Sequence, residues 1–189
     1  MTRPEPLRGH KVLLCVCGGI AAYKAADLVR RLRDAGASVR VAMTDSAQHF
    51  VGATTFQALS GEAVRTSLWD AAAEMAMGHL ELARWADRVV IAPATANTLA
   101  KLAHGFADDL VSTLCLATTA PITVAPAMNH RMWLNAATQA NVATLRARGV
   151  SVIGPEDGPL AEGESGPGRM SEPAAIVAAL AGLAARGAT

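Results

Sequence analysis

Five short apolar runs, each broken by glycine, proline or small residues before a helical pattern, constrain this chain more than any other feature. The central run is Val89-Val90-Ile91-Ala92, rich in β-branched residues. A run this short and this apolar reads as a strand buried on both faces of a parallel sheet. It breaks at Pro93 into Ala94-Thr95-Ala96-Asn97-Thr98, and helical spacing follows over Leu99–Ala117. In an open α/β sheet, ligands sit beyond the carboxyl ends of the strands, where loops enter helices. This loop offers hydroxyls, an amide and backbone N–H groups with little side-chain bulk. It suits a flat polar ligand approached closely by backbone. A plain strand-to-helix turn capped by Thr or Asn is the alternative.

The neighbouring segments repeat the arrangement. Lys11–Cys17 reads as the first strand, Gly18-Gly19 as its break, and Ile20–Ala35 as a helix stopped at Gly36. Ser38–Met43 is a second strand, which makes a βαβ unit with a right-handed crossover. The G-G-I-A-A turn is neither G-x-G-x-x-G nor a P-loop. It still places backbone N–H groups at a helix N-terminus, where a phosphate or ring can rest. Thr44-Asp45-Ser46 closes the second strand. Its two hydroxyls suit phosphate oxygens, or equally a helix cap, because both use the same orphan donors. Ala47–Ser60 reads as a helix ended by Gly61, and Ser67–Met77 as a loop or short helix. Leu80–Ala86 reads as one or two helical turns leading into the central strand.

Pro121–Ala125 is the next buried strand, and its exit runs Pro126-Ala127-Met128-Asn129-His130-Arg131-Met132-Trp133. Methionine and tryptophan usually belong to cores. Beyond a strand's carboxyl end they can instead line a pocket, with Asn129 as its polar anchor. Asn135–Arg148 reads as a helix, Val150–Ile153 as the last strand and Glu172–Arg186 as a closing helix. Between them, Gly154–Met170 is a glycine- and proline-rich loop, a linker or an active-site flap. Lys101, His104, Asp108 and Asp109 read as a solvated helix face, the two aspartates also suiting a subunit contact.

At 189 residues, a single α/β domain with one substantial core is expected. Met1–His10 is a polar tail without the apolar centre of a signal peptide, and no run approaches a membrane span. A net charge of +1 gives no electrostatic case for nucleic acid. Cys15, Cys17 and Cys115 lie in apolar runs with no ligand spacing, so no metal site is expected. They read as reduced core residues of a cytoplasmic protein.

Taken together, GGIAAYK at Gly18–Lys24, MGHLELARWAD at Met77–Asp87, APATANT at Ala92–Thr98, PAMNHRMW at Pro126–Trp133 and GPGRM at Gly166–Met170 resemble one family. It is the flavin-dependent phosphopantothenoylcysteine decarboxylases, the flavoprotein half of a bifunctional coenzyme A protein. The resemblance implies a flavodoxin-like (Rossmann-like) parallel sheet with helices on both faces. It implies trimers, often gathered into dodecamers, with FMN at subunit contacts, and a synthetase domain fused or separate. By position, Gly18, Gly19, Ile20, Thr44, Ser46, Thr95, Ala96, Asn97, Thr98 and Ala127 are the expected FMN contacts. His79 matches the catalytic base, Asn129 the residue that holds the substrate carboxylate, and Met132 a support of that pocket. The implied reaction removes carbon dioxide from the cysteine end of phosphopantothenoylcysteine to give phosphopantetheine.

The flap departs from the family's usual A-C-G-D-x-G-x-G-R-M. Glu162 stands where the cysteine that serves as the final acid should be. A carboxylic acid desolvated by flap closure can take that role; otherwise Glu162 is a solvated loop residue. Two further readings remain open: a peptidyl-cysteine oxidative decarboxylase that releases an enethiol, and a non-catalytic flavin-binding regulatory subunit.

Overall fold

The computed structural model describes residues 4–69, 78–161 and 163–187. Five parallel strands form the central sheet: β1 (Lys11–Val16), β2 (Ser38–Met43), β3 (Arg88–Ala94), β4 (Ile122–Pro126) and β5 (Ser151–Val152). Their order across the sheet is β2-β1-β3-β4-β5. This is the flavodoxin-like order, with the expected single α/β domain around it. The chain reverses its direction of travel across the sheet between β1 and β3, where two neighbouring strand ends feed connections on opposite faces.

Alternation along the strands divides the core in two. Val12, Leu14 and Val16 face one layer, together with Leu28 and Leu32 of α1 (Ala22–Asp34), Phe56 of α2 (Ala53–Ser60) and Ile176 of α8 (Pro173–Gly187). Leu13 and Cys15 face the other. That layer holds Leu82 of α3 (Gly78–Trp85), Leu99 of α4 (Ala96–His104), Leu114 of α5 (Leu110–Ala117) and Val142 of α7 (Ala136–Ala147). Both faces of the sheet are therefore dry, as near-continuous apolar strands require.

The central strand does not stop at Pro93. It continues to Ala94, with a register irregularity against β4 between Ile91 and Ala94. Val90 and Ala92 face the α1/α8 layer, yet Ala94 faces the opposite one. The irregularity thus turns the strand's exit over, and so aims the residues that follow.

Two predicted helices are interrupted, and one short helix is added. In place of one helix over Ala47–Ser60, a 3-10 turn at Asp45–His49 precedes α2, with Gly52 between them in extended backbone. In place of Leu99–Ala117, α4 ends at Gly105, whose φ of 72° suits a residue without a Cβ, and Asp109 starts α5 afresh. Asp109 closes a capping box with Ser112. A five-residue helix, α6 (His130–Leu134), precedes α7, with Asn135 capping the latter. The closing helix runs Pro173–Gly187. The glycine-rich loop is also more ordered than expected. Glu156–Pro159 (β6) and Ser165–Arg169 (β7) pair as an antiparallel hairpin, a second sheet of its own. Residues 70–77, most of the predicted loop or short helix before the central strand, lie outside the described residues.

Among the described residues, no helix is long and apolar enough to cross a membrane. Cys15, Cys17 and Cys115 are buried and unpaired.

Candidate functional site

A cavity of about 960 Å³ opens at the carboxyl ends of the strands. Its size is at the upper end of the roughly 300–1,000 Å³ of small-molecule sites. It lies where the chain reverses across the sheet, the position a doubly wound fold leaves open for a ligand. Both small-residue strand exits reach it: Thr95, Ala96, Asn97 and Thr98 after β3, and Ala127, Asn129 and Met132 after β4. Gly18, Gly19, Ile20, Thr44 and Ser46 line it too.

Local chemistry shapes each wall. Thr95 caps α4, its Oγ1 accepting from the Thr98 amide at 3.2 Å. The first-turn amides of Ala96 and Asn97 have no intrahelical acceptor and point outward from the helix end. Thr98 Oγ1 in turn donates to Cys17 Sγ at 3.2 Å on the cavity floor. Burial pushes the Cys17 thiol up to about 12, outweighing that hydrogen bond, so the floor is uncharged at neutral pH. The Gly18 turn packs against the Thr44–Ser46 turn. A Cβ on Gly18 would lie 2.4 Å from Ser46 Cβ, whereas one on Gly19 would meet only Thr95 Cγ2, at 3.9 Å. One glycine therefore lets two turns touch, and the other keeps the cavity wall at backbone level.

Asn129 caps α6, its Oδ1 accepting from the Arg131 amide at 2.8 Å. Its amide nitrogen is the donor end, suited to an acceptor such as a carboxylate. Met132 lines the cavity half exposed, and Ile20 and Tyr23, which line it too, are more exposed still.

Sequence reasoning missed several lining residues. Lys101 reaches from α4 to Asp108 at 2.8 Å and Asp109 at 2.7 Å, and all three line the cavity, with Asp108 still solvated as expected. Burial works against the Lys101 charge, but its bonds to the two aspartates prevail and hold its pKa above the usual lysine value. Burial likewise pushes the Asp109 carboxyl up, while Lys101 and Ser112 pull it down further, to a net value below the usual carboxylate range. Lys24 donates to Met170 O at 3.2 Å and pairs with Glu172 at 2.7 Å. The i, i+7 spacing of Lys101 and Asp108 across a helix-breaking glycine was the signal available in the sequence. For Lys24 there was none, because Glu172 is 148 residues away. From the hairpin, Leu160, Ala161 and Arg169 also reach the cavity.

His79 is the exception among the predicted residues within the described chain. It lies half-buried on the first turn of α3 and does not line the cavity. Its helix is pinned toward the β2 edge, where Arg40 pairs with Glu81 at 2.9 Å and stacks over Trp85 at 4.5 Å. Glu162 falls outside the described residues.

Compared with known proteins, residues 1–185 match the Flavoprotein family. The chain belongs to that family. It is 57% identical over 171 residues to the coenzyme A biosynthesis bifunctional protein CoaBC of Escherichia coli K12, covering 90% of this chain and 42% of that protein. The chain therefore spans about two fifths of the length of the curated relatives it matches. Among solved structures, a cysteine-to-serine variant of PPC decarboxylase complexed with pantothenoylaminoethenethiol superposes with a TM-score of 0.79 at 36% identity. That match covers 92% of this chain and 97% of the other. The FMN-dependent cysteine decarboxylase SpaF superposes with a TM-score of 0.77 at 33% identity, covering 93% and 99%. This flavoprotein-family chain has its cavity built from the segments singled out in the sequence, with His79 the outlier.

Proposed function

We propose that this chain is an FMN-dependent decarboxylase of phosphopantothenoylcysteine, acting in the cytoplasm within coenzyme A biosynthesis. The observation that carries the reading is the convergence of both strand exits, the Gly18-Gly19 turn and Asn129 on one cavity. The likeness to CoaBC and to PPC decarboxylase supports the substrate.

The cavity fits the cofactor. The Gly19 wall has no Cβ within it, and Thr95, Asn97 and the α4 amides supply donors for a planar heterocycle and its phosphate. Bound there, FMN supplies the two-electron exchange that converts the cysteine thiol to a thioaldehyde, an electron sink β to the carboxylate. Asn129 holds that carboxylate through its amide nitrogen. Loss of carbon dioxide would leave an enethiolate, and the saturated thiol of phosphopantetheine would need a proton together with the two electrons that bound FMN would hold. The hairpin keeps water from the cavity mouth during these steps.

The position of His79 supports an oligomer. The base must come within hydrogen-bond reach of the substrate, and within one chain His79 does not line the cavity. A neighbouring copy brings its His79 to this cavity, in a trimer or a dodecamer. The exposed Ile20, Tyr23 and Met132 at the rim are what that neighbour covers. A synthetase domain, fused or separate, provides the substrate.

Glu162, standing where the resemblance leads one to expect a cysteine acid, favours a second reading, in which the enethiol itself is the product. Incubating the purified flavin-loaded protein with phosphopantothenoylcysteine and weighing the product separates the two. A product lighter by carbon dioxide alone supports the first reading. One lighter by a further two hydrogens supports the second. Unreacted substrate over a flavin-loaded oligomer removes both.

A further inference from the structure

The hairpin and the Asn129 loop are joined at points this chain supplies with its own residues. Backbone contact comes first: the Met128 amide donates to Gly168 O at 3.0 Å. A Cβ on Gly168 would lie 2.2 Å from Met128 O, and one on Gly166 3.1 Å from His130 Cβ. The return strand β7 thus lies directly on the loop that carries Asn129. Side chains then add a charged junction. Arg131 Nη2 donates to Glu164 Oε1 at 2.7 Å. His130 Nδ1, buried and without an aligned hydrogen bond among the described residues, lies 3.2 Å from Glu164 Oε2. The main chain of Glu164 faces the other way: its carbonyl accepts from the Leu160 amide at 2.8 Å. Leu160 and Ala161 line the cavity. One residue therefore grips the Asn129 loop with its side chain and the cavity-lining tip of the hairpin with its backbone.

We propose that Glu164 is a positioning residue for the reaction: through Arg131 and His130 it fixes the hairpin tip over the cavity and so retains the enethiolate until it is reduced. This rests on the decarboxylation proposed above. Loosening the tip lets the enethiol leave early. The two electrons then stay with the cofactor until dioxygen accepts them, and the product lacks two hydrogens. Arg131 is largely exposed and Glu164 partly so, which places the junction among solvent-screened pairs. The effect is accordingly modest, about three- to fivefold.

The test compares the flavin-loaded wild type with Glu164→Gln, Glu164→Asp, Arg131→Glu, Glu164→Arg and the double variant Arg131→Glu/Glu164→Arg. Expected for Glu164→Gln are unchanged flavin content and melting temperature, KM raised about three- to fivefold, and a larger share of enethiol in the product mass spectrum. Glu164→Asp recovers most of the loss, since the mobile Arg131 follows the shorter carboxylate. The charge-swapped double variant performs better than either of its single variants. A wild-type KM and product ratio in Glu164→Gln, or a double variant no better than the singles, overturns the proposal. Hydrogen exchange at the Leu160 amide reads the same junction without turnover. If the wild type releases no carbon dioxide, the decarboxylase reading fails, while faster exchange in Glu164→Gln still upholds the junction and unchanged exchange removes it.

Discussion

Replacing Gly18 by alanine sets two neighbouring glycines against each other. The added Cβ lies 2.4 Å from Ser46 Cβ and 2.7 Å from the Ser46 carbonyl carbon, both far inside contact distance. The obstacle is partly backbone, so no rotamer change relieves it. The Gly18 turn and the Thr44–Ser46 turn must separate by roughly an ångström, in a tightly packed region where such overpacking costs about 1–3 kcal/mol. For a chain of this length that lowers Tm by roughly 2–12 °C. Because both turns are expected FMN contacts, flavin affinity falls together with stability. Gly19→Ala is the matched control. Its Cβ has only Thr95 Cγ2 nearby, at 3.9 Å, and projects toward the cavity. It leaves the Tm of the flavin-free protein unchanged and weakens FMN binding alone. The assays are differential scanning fluorimetry of apoprotein and flavin titration followed by fluorescence quenching. Equal Tm for Gly18→Ala and wild-type apoprotein, or the same loss in both variants, refutes the argument that one glycine serves packing and the other serves the ligand.

Three further outcomes are expected. His79→Asn retains bound flavin and loses turnover by about 10²-fold or more, the usual contribution of a positioned base; turnover within a few-fold of wild type removes His79 from the reaction. Lys101→Met deprives Asp109 of its cation while burial remains, so its carboxyl pKa rises. A depressed carboxyl gives stability that is present above its unfolded value of about 3.9 and is lost as pH falls through the lower folded value; the variant's acid unfolding therefore begins at higher pH, and superimposable Tm profiles across about pH 3 to 7 contradict the ion-pair account. Cys15 and Cys17, whose thiols are held protonated by the Cys115 hydrogen bond in the first case and by burial in both, react with a thiol reagent only after denaturation, and fast labelling of the native protein contradicts their burial.

The parts of the fold that obey a period were legible in the chain. The inner strands announced themselves because a parallel sheet buried on both faces needs runs such as Val89–Ile91, whereas the edge strand β2 keeps the alternation Ser38-Val39-Arg40-Val41. The two strand exits were legible for a related reason, since small residues at a strand end have little packing to do. Helix interruptions were harder to read. Gly105 stood in the sequence, but a lone glycine is tolerated in a helix until something such as Asp109 offers the next helix a cap. The turn at Pro93 was misjudged because proline removes one ladder donor without ending a strand, and here the strand shifts register around it. Long-range pairs were the least accessible. Lys24 with Glu172 and Arg131 with Glu164 are set by how α1 and the hairpin fold back, which no local pattern encodes. The place of His79 away from the cavity has the same origin, because where α3 packs is set by distant partners such as Arg40 with Glu81.

The hairpin stands apart from the main sheet in its bonding: β6 and β7 form a ladder only with each other. The ribbon reaches the rest of the molecule through a few tethers, among them the Met128 amide and the Lys24 ammonium. Part of the cavity wall, at Leu160, Ala161 and Arg169, thus belongs to an element that pairs with no strand of the main sheet. The five-stranded platform can stay constant while the ribbon is rewritten residue by residue.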